Sequence, residues 1–341
     1  MKALVYKGPY RMDLEDIPEP DPKPDEVVVK VRAVGMCGSD IHGFSGKTGR
    51  RYPGMVMGHE IAGEIYRTGE NAGRFRKGRR VVVQPVVYCG ICEMCRIKET
   101  SVCLNKRMVG VNMDLVGGLS EYIAVPQRNV FPLPETMPFT HGVLVEPFGV
   151  GVGAVRKSAI KKGDSVVIVG SGVIGLTILV AVLKKSPKVV YMVDMVKRKL
   201  DIAEEIGAVP VDLSVHDPVQ TVLTETGGNG ADIAFEAVGI TSSVQTAMAV
   251  TKTGGSVVWV GNAQRMIELD MQDAVVRQKA IQGVYCYNDE DFGNSIDIVA
   301  GDPGLAARFV EKEVSFEEAT VHFERVAKGE EELLRGVIVL G

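Results

Sequence analysis

The first half of the chain consists of short runs of apolar and β-branched residues separated by glycine and proline. The clearest runs cover residues 27–34, 61–66 and 81–87. Short runs with these boundaries are typical of β-strands, and their close spacing favours antiparallel pairing. This part of the chain is therefore predicted to be mostly β, with its functional residues in loops.

The pattern changes after residue 148, where apolar strand-like runs begin to alternate with helical segments. Alternation at this spacing predicts an α/β fold with a doubly wound parallel sheet. The last of these strands would contain Cys286 as a buried residue. The predicted elements are strands at 165–170, 188–194, 233–237, 257–260 and 280–286 and helices at 173–184 and 196–206.

The length of 341 residues exceeds the usual size of a single hydrophobic core and predicts two domains. The β-rich domain is expected to cover residues 1–148, and the parallel-sheet domain residues 149–287. Residues 288–341 contain two helical patterns and a final apolar strand. Because the parallel sheet needs no further strand, this tail is expected to complete the first domain.

Composition and charge exclude several classes of partner. The net charge is -4, so no basic surface is expected for nucleic acid or anionic membrane. Residues 1–6 have the pattern of a strand rather than a signal peptide, and the longest apolar run, at 176–183, is too short to span a bilayer. We therefore expect a cytoplasmic protein with a small-molecule substrate, whose clustered cysteines bind metal.

A glycine-rich segment joins the first strand of the parallel sheet to its helix. Gly170, Gly172 and Gly175, with Val173 and Ile174 between the last two, have the spacing GxGxxG. Glycines at these positions permit a tight turn and bring a pyrophosphate close to the helix N-terminus. The segment therefore predicts a dinucleotide site.

The next strand ends in Asp194, which lies nineteen residues after Gly175. A carboxylate at this position binds ribose hydroxyls and repels a 2′-phosphate, which favours NAD over NADP. Basic residues at 197–199, with Arg198 in the middle, either bind such a phosphate or lie in solvent. NAD is the predicted cofactor and NADP is the alternative.

Four of the six cysteines lie close together in the first domain, with the spacing C-x2-C-x2-C-x7-C. Four thiolates complete the tetrahedral shell of a structural zinc. A redox pair or an iron–sulfur cluster are the alternatives, but no predicted strand-to-helix junction carries a C-x2-C pair. We predict a structural zinc bound by Cys89, Cys92, Cys95 and Cys103.

A second set of possible metal ligands is scattered along the first domain. Cys37, His59, Glu60 and Glu146 could supply one sulfur, one nitrogen and two carboxylates. Each also has an ordinary interpretation, with Cys37 as a small buried residue, His59 in a loop hydrogen bond, and the two acids in solvent. The spacing alone leaves both interpretations open.

Taken together, the motifs resemble those of the zinc-containing medium-chain dehydrogenases along nearly the whole chain. The resemblance is closest to the branch with polyol dehydrogenases, such as sorbitol and butanediol dehydrogenases, and L-threonine 3-dehydrogenase. It implies a GroES-like catalytic domain followed by a Rossmann domain. The motifs are Cys37-Gly38-Ser39-Asp40-Ile41-His42, Gly58-His59-Glu60, the four cysteines, residues 117–122, Glu146-Pro147 and residues 170–175.

The resemblance implies two zinc ions per chain, one of them catalytic, and a homo-oligomer, either a tetramer or a dimer. A catalytic zinc lowers the pKa of a bound alcohol, whose proton must then reach solvent through a hydroxyl and an imidazole. The implied roles are Cys37 and His59 as zinc ligands, Glu60 and Glu146 as the acids that complete the site, and Ser39 and His42 as the proton relay.

The expected reaction is oxidation of a secondary alcohol (a polyol, diol or sugar derivative) to a ketone, with hydride transfer to NAD. L-Threonine 3-dehydrogenase is the second candidate function. A non-catalytic dinucleotide-binding homologue is a candidate of another class, and it would be expected to have lost ligands. The basic residues Lys47, Arg50 and Arg51 leave an anionic substrate open, with a solvated loop as the alternative.

Overall fold

The computed structural model describes residues 1–341. The chain divides into two compact units, one formed by Met1–Glu146 together with Asn288–Gly341 and the other by Pro147–Tyr287. The first unit thus contains both ends of the chain. No helix combines the length and the apolar composition that a membrane span requires.

Seventeen strands and twelve α-helices are numbered in chain order. The strands are β1 Lys2–Gly8, β2 Arg11–Asp16, β3 Glu26–Gly35, β4 Ile61–Thr68, β5 Arg80–Val83, β6 Val86–Val87, β7 Arg107–Met108, β8 Tyr122–Pro126, β9 Val130–Pro132, β10 Ser165–Val169, β11 Val189–Asp194, β12 Val209–Asp212, β13 Ala231–Glu236, β14 Thr251–Trp259, β15 Ala280–Gly283, β16 Lys312–Ser315 and β17 Gly336–Val339. The helices are α1 Gly38–Phe44, α2 Glu93–Arg96, α3 Phe139–Gly142, α4 Val145–Lys157, α5 Val173–Leu183, α6 Lys197–Ile206, α7 Pro218–Glu225, α8 Thr241–Val250, α9 Met271–Val276, α10 Asp289–Gly301, α11 Pro303–Phe309 and α12 Ala319–Lys328.

The first unit is built around a seven-stranded sheet with the strand order β16-β17-β3-β4-β5-β9, in which β8 also pairs with β3. All pairs are antiparallel except β16 with β17. The C-terminal strand β17 pairs with the end of β3, where Ile338 lies opposite Val34. Apolar residues of β3 and β4, such as Val29 and Ile65, are buried in the core of this unit.

The second unit contains a six-stranded parallel sheet with the order β12-β11-β10-β13-β14-β15. Every residue of its strand β10 is buried, as expected for a strand that is covered by helices on both faces. The chain winds outward from β10 in both directions. The predicted α/β fold with a doubly wound parallel sheet is confirmed.

One predicted strand is divided in two in the structure, and one strand of the structure was not predicted. The run 81–87 is split into β5 and β6 around Gln84-Pro85, since proline cannot donate a ladder hydrogen bond. The strand β12 was not predicted because Pro210 interrupts its apolar pattern. The sheet accepts this proline because β12 is an edge strand.

The strand predicted at 280–286 is shorter than expected and ends at Gly283. All four residues of β15 are exposed, and β15 forms the other edge of the sheet. Cys286 is buried, but it lies in a bend with φ +60° rather than in a strand. The apolar character of this segment therefore does not come from a buried central strand.

Candidate active site

Three of the predicted metal ligands meet at the ends of two neighbouring strands in the first unit. Cys37 follows β3 and precedes α1, and His59 and Glu60 directly precede β4. Because Val34 in β3 pairs with Ile61 in β4, the antiparallel register brings the two loops together. The ligand atoms of Cys37, His59 and Glu60 all lie within 4.8 Å of one another.

The side chain of Glu60 is fully buried, and neither carboxylate oxygen has a hydrogen-bond partner. Arg335 Nη1 lies 3.0 Å from Glu60 Oε1 outside hydrogen-bond geometry, and it donates to the carbonyl oxygen of Met36 at 2.7 Å. A Cβ atom at Gly35 would collide with the Glu60 carboxylate, so glycine leaves the space that it occupies. Buried carboxylate oxygens without hydrogen bonds, beside a thiol and an imidazole, fit a zinc ion with S, N and O ligands.

The charges around Cys37 favour the form of the thiol that binds metal. Burial raises its pKa, but the positive charges of His59 and Arg335 outweigh burial and lower the pKa of Cys37 to about 6. A thiol with this pKa is largely thiolate at neutral pH, and the thiolate is the metal ligand. Burial also raises the pKa of Glu60 to about 8, and a cation beside it would favour the ionised carboxylate instead.

A buried ion pair orients the imidazole of His59. Its Nδ1 lies 2.9 Å from Asp40 Oδ2, a contact outside hydrogen-bond geometry, and Arg51 Nη2 donates to Asp40 Oδ1 at 2.8 Å. Although burial opposes ionisation, the charges of His59 and Arg51 lower the pKa of Asp40 to about 2. With Nδ1 directed at a carboxylate, Nε2 is the nitrogen of His59 that is left for a metal.

Glu146 is placed differently from the other predicted ligands. It is buried near the start of α4 and is not in the group whose ligand atoms lie within 4.8 Å of one another. Its charge contributes to raising the pKa of Arg335, after the larger contributions of Glu60 and Cys37. The geometry thus brings Glu60, and not Glu146, into direct range of the thiol and imidazole.

The two residues predicted as a proton relay both lie on α1, Ser39 in its first turn and His42 in its last. The Ser39 hydroxyl donates to Cys37 Sγ at 3.5 Å, and Ser39 is exposed. His42 lies in the last turn of α1 and is exposed as a residue. Partial desolvation of the ring, followed by the charge of Lys47, lowers the pKa of His42 below 6.5, so the imidazole is neutral at pH 7 and can accept a proton.

The four clustered cysteines converge on one point, and none of the six cysteines forms a disulfide. A zinc–sulfur distance of about 2.3 Å in a tetrahedral site places the sulfurs roughly 3.8 Å apart. The separations here are 3.5 Å for Cys92–Cys95, 3.6 Å for Cys89–Cys103, 3.9 Å for Cys92–Cys103 and 4.0 Å for Cys89–Cys95. These distances fit a single tetrahedral ion.

The glycine-rich turn of the second unit lies between β10 and α5. Gly170 has φ +101°, a conformation that favours glycine, and a Cβ atom at Gly175 would collide with the carbonyl oxygen of Gly170. Gly172 is the N-cap residue of α5, so Val173 and Ile174 form its first turn. The close packing at Gly175 leaves the N-terminus of α5 open to a phosphate.

Asp194 ends β11 beside this turn. One carboxylate oxygen accepts from the amide of Ser171 at 2.6 Å, and the other accepts from the amides of Met195 and Val196. The Ser171 hydroxyl is buried and has no hydrogen-bond partner. A fixed carboxylate and an unsatisfied hydroxyl fit a dinucleotide at this edge, whereas Arg198 is an exposed residue of α6.

Three residues of the zinc-ligand region were missed by sequence reasoning. Asp40 lies inside the Cys37 to His42 motif, but no role was predicted for it. Arg51 was taken for a loop residue in solvent or a ligand for an anion, yet its side chain is only 4% exposed. Arg335 lies 299 residues from its main-chain partner Met36, and nothing in the local sequence indicates this contact.

Comparison with known proteins identifies the class. Residues 23–135 match the alcohol dehydrogenase GroES-like domain, and residues 172–301 match the zinc-binding dehydrogenase family. The chain is 29% identical to sorbitol dehydrogenase of Bacillus subtilis over 343 residues, which cover 99% of this chain and 97% of the relative. It is 32% identical to (R,R)-butanediol dehydrogenase of the same species over 302 residues, or 85% of each chain.

Solved structures agree with this assignment. An oxidoreductase of unknown specificity from Escherichia coli has a TM-score of 0.93 at 29% identity, with 100% of this chain and 99% of that chain covered. Two similar structures at 28% and 27% identity, from Sinorhizobium meliloti and Escherichia coli, contain NADP and NADH respectively. The chain belongs to the zinc-containing medium-chain dehydrogenase family and is an oxidoreductase that acts on alcohol groups.

Proposed function

We propose that Cys37, His59 and Glu60 bind a catalytic zinc at which a secondary alcohol is oxidised to a ketone. The observation that carries the proposal is the convergence of these three side chains within 4.8 Å around a buried carboxylate without hydrogen-bond partners. The same distances support Glu60 over Glu146 as the direct acid ligand. A zinc ion bound there would act as a Lewis acid and lower the pKa of the alcohol.

The chain's own residues then remove the alcohol proton. In this proposal Ser39, whose hydroxyl donates to the Cys37 sulfur, accepts the proton and passes it on. His42, at the exposed end of α1, takes the proton to solvent, and its lowered pKa keeps it unprotonated beforehand. A nicotinamide cofactor, when bound, would supply the redox chemistry by accepting a hydride from the alcohol carbon.

NAD is the proposed cofactor, bound by Gly170, Gly172, Val173, Ile174 and Gly175, with Asp194 at the ribose. A carboxylate fixed by three backbone amides favours ribose hydroxyls over a 2′-phosphate. Arg198, an exposed residue in the first turn of α6, is the candidate for binding the 2′-phosphate if the cofactor is NADP. The ratio of kcat/KM values for NAD and NADP tests this choice.

The proposed substrates are polyols, diols or sugar derivatives. The relatives named above act on sorbitol and butanediol, which favours this branch over L-threonine. A non-catalytic homologue would be expected to have lost ligands, and this chain keeps Cys37, His59 and Glu60 together. The deciding experiment is a screen of polyols, diols, threonine and sugar acids with NAD and NADP, followed by the absorbance of the reduced cofactor.

A variant of one proposed zinc ligand shows whether the activity found in the screen depends on the catalytic site. Cys37→Ser should abolish turnover on every substrate while NAD binding, measured by fluorescence quenching, stays unchanged. Metal analysis of the wild-type protein should give two zinc ions per chain, the second of them bound by the four clustered cysteines. Full activity of Cys37→Ser, or turnover of none of the alcohols, would refute the proposal.

We further propose that Met1–Glu146 with Asn288–Gly341 is the catalytic unit and Pro147–Tyr287 the cofactor-binding unit, in a cytoplasmic homo-oligomer. The division follows from the location of the zinc ligands and of the glycine turn in different units. The exposed edge strand β15 supports subunit pairing in a tetramer or a dimer.

A further inference from the structure

Arg51 is a buried arginine whose polar contacts lead toward one of the proposed zinc ligands. Its side chain is 4% exposed, and that of its partner Asp40 is fully buried. Arg51 Nη2 donates to Asp40 Oδ1 at 2.8 Å, and Nη1 makes only a long contact of 3.5 Å to the neighbouring carbonyl of Arg50. Arg51 Nε has no acceptor. The short hydrogen bond of this guanidinium is therefore directed at Asp40.

The other oxygen of Asp40 faces His59, with 2.9 Å between Oδ2 and Nδ1, a close ion-pair contact outside hydrogen-bond geometry. A carboxylate with one fixed oxygen has little freedom to rotate, so the Arg51 contact determines where Asp40 presents the other oxygen. Burying an arginine is costly unless its partner and geometry compensate. The chain makes room for it at Gly43 in α1, where a Cβ atom would lie 2.6 Å from Arg51 Cγ.

We propose that Arg51 is a positioning residue for the catalytic zinc site, acting through Asp40 to hold the His59 imidazole in its metal-binding orientation. The inference rests on the proposed zinc site at Cys37, His59 and Glu60. Arg51 itself touches neither substrate nor metal. Partners of this kind behind a histidine ligand typically change metal affinity by about 10–100-fold when they are replaced.

The test measures zinc release from the full-length protein into a chromogenic chelator. Two zinc ions per chain should give two phases of release. The phase that is absent in Cys37→Ser is assigned to the catalytic site, and the other phase to the four cysteines. Arg51→Met should accelerate the catalytic-site phase by about 10–100-fold and leave the other phase unchanged. Arg51→Lys should recover part of this loss, because a charge is restored without the planar fork of donors.

A double-mutant cycle determines whether Arg51 acts through Asp40. Asp40→Asn should also accelerate the catalytic-site phase, and the double variant Asp40→Asn with Arg51→Met should be no faster than Asp40→Asn alone. Independent, multiplicative effects of the two substitutions would overturn the proposed route. So would an Arg51→Met variant that melts earlier but releases zinc at the wild-type rate, since its role would then be structural only.

If Arg51→Met does not fold, Gly43→Ala replaces it in the test, because the added methyl group displaces the side chain of Arg51 but leaves the charge of Arg51 in place. The matched control is Gly73→Ala in the same unit, where a Cβ atom would meet nothing within 4 Å. The exposed neighbour Arg50, changed to methionine, controls for loss of charge in the loop. Equal zinc release by Gly43→Ala and Gly73→Ala would refute the inference, while a wild-type chain with only one zinc would refute the proposed function beneath it.

Discussion

The Glu60 carboxylate fits into the candidate site because residue 35 is a glycine and has no side chain. The carboxylate occupies the space beside Gly35 that any Cβ atom would fill. Both oxygens are buried without hydrogen bonds, and the cation beside them is Arg335, whose Nη1 lies 3.0 Å from Oε1; a bound zinc would add a second. The second acid, Glu146, is also buried but stands outside the close group. The two acids should therefore differ in their effect on metal binding.

We expect Glu60→Gln to weaken zinc binding at the catalytic site by about tenfold or more, because it removes a ligand charge, and Glu146→Gln to change it by less than about threefold. Both substitutions are close in size to the original side chain. The measurement is zinc content after dialysis against a graded series of chelator concentrations. Equal losses, or a larger loss for Glu146→Gln, would show that Glu146 is the ligand.

The lowered pKa of His42 predicts a position for the acid limb of the pH–rate profile. The relay needs neutral imidazole, so kcat/KM for alcohol oxidation should rise as His42 loses its proton at a pH below 6.5. Lys47→Gln removes a charge that lowers this pKa, so the limb should move to higher pH. His42→Gln should eliminate the limb. An unchanged profile in both variants would exclude His42 from the relay.

The close group at the candidate site was named from the sequence, but the residues around it were not. Cys37, His59 and Glu60 were proposed as ligands through the resemblance of their motifs to a known family, since their spacing alone left their roles open, and the structure brings the three side chains together. Arg51 and Arg335 acquire their roles only through packing, since each is an arginine in an unremarkable stretch that happens to face a buried acid. Local patterns do not record such long-range pairing.

Among the elements, the hydrophobic pattern predicted best those strands whose residues are all buried. The apolar run of β10 was identified because both faces of this strand are covered. Prediction was less accurate at the sheet edges, where Pro210 interrupts the apolar pattern of β12 and the strand predicted at 280–286 ends at Gly283. Edge strands tolerate residues that central strands reject, so their sequences carry a weaker signal.

The four-cysteine lobe has little regular structure of its own and contains α2, which has no buried residue. Its stability should therefore come mainly from zinc. We expect Cys95→Ser to lose one zinc per chain and to lower the Tm of the first unit by roughly 5–10 °C, since each kcal/mol lost lowers Tm by about 2–4 °C in a unit of 150–250 residues. Calorimetry and metal analysis measure both effects.

Cys286→Ser is the matched control for the lobe, because Cys286 is buried, belongs to the second unit and is a member of neither group of converging ligands. This variant should keep two zinc ions per chain. If Cys95→Ser also keeps two zinc ions and the wild-type Tm, the four cysteines do not form a structural site.

At the scale of the whole molecule, the two edges of the parallel sheet are not equivalent. Exposed apolar residues lie near both edges, with Ile281 39% exposed and Met271, Val275 and Val276 of α9 more than 60% exposed on one side, and Val209, Leu213 and Val215 45%, 38% and 71% exposed on the other. Such residues beside an unpaired strand are typical of a protein–protein interface. The edges differ in their backbone donors, because Pro210 in β12 cannot donate a ladder hydrogen bond, whereas β15 contains no proline.

This asymmetry predicts which edge joins the subunits. Ile281→Lys places a charge on β15 and should shift the protein to a species of half the wild-type mass, because a buried unpaired charge destabilises the interface. Val209→Lys, at a position on β12 that is 45% exposed, should leave the mass unchanged. Size-exclusion chromatography with light scattering distinguishes the outcomes. If Val209→Lys dissociates the oligomer and Ile281→Lys does not, pairing uses the β12 edge, and a monomeric wild-type protein would exclude both.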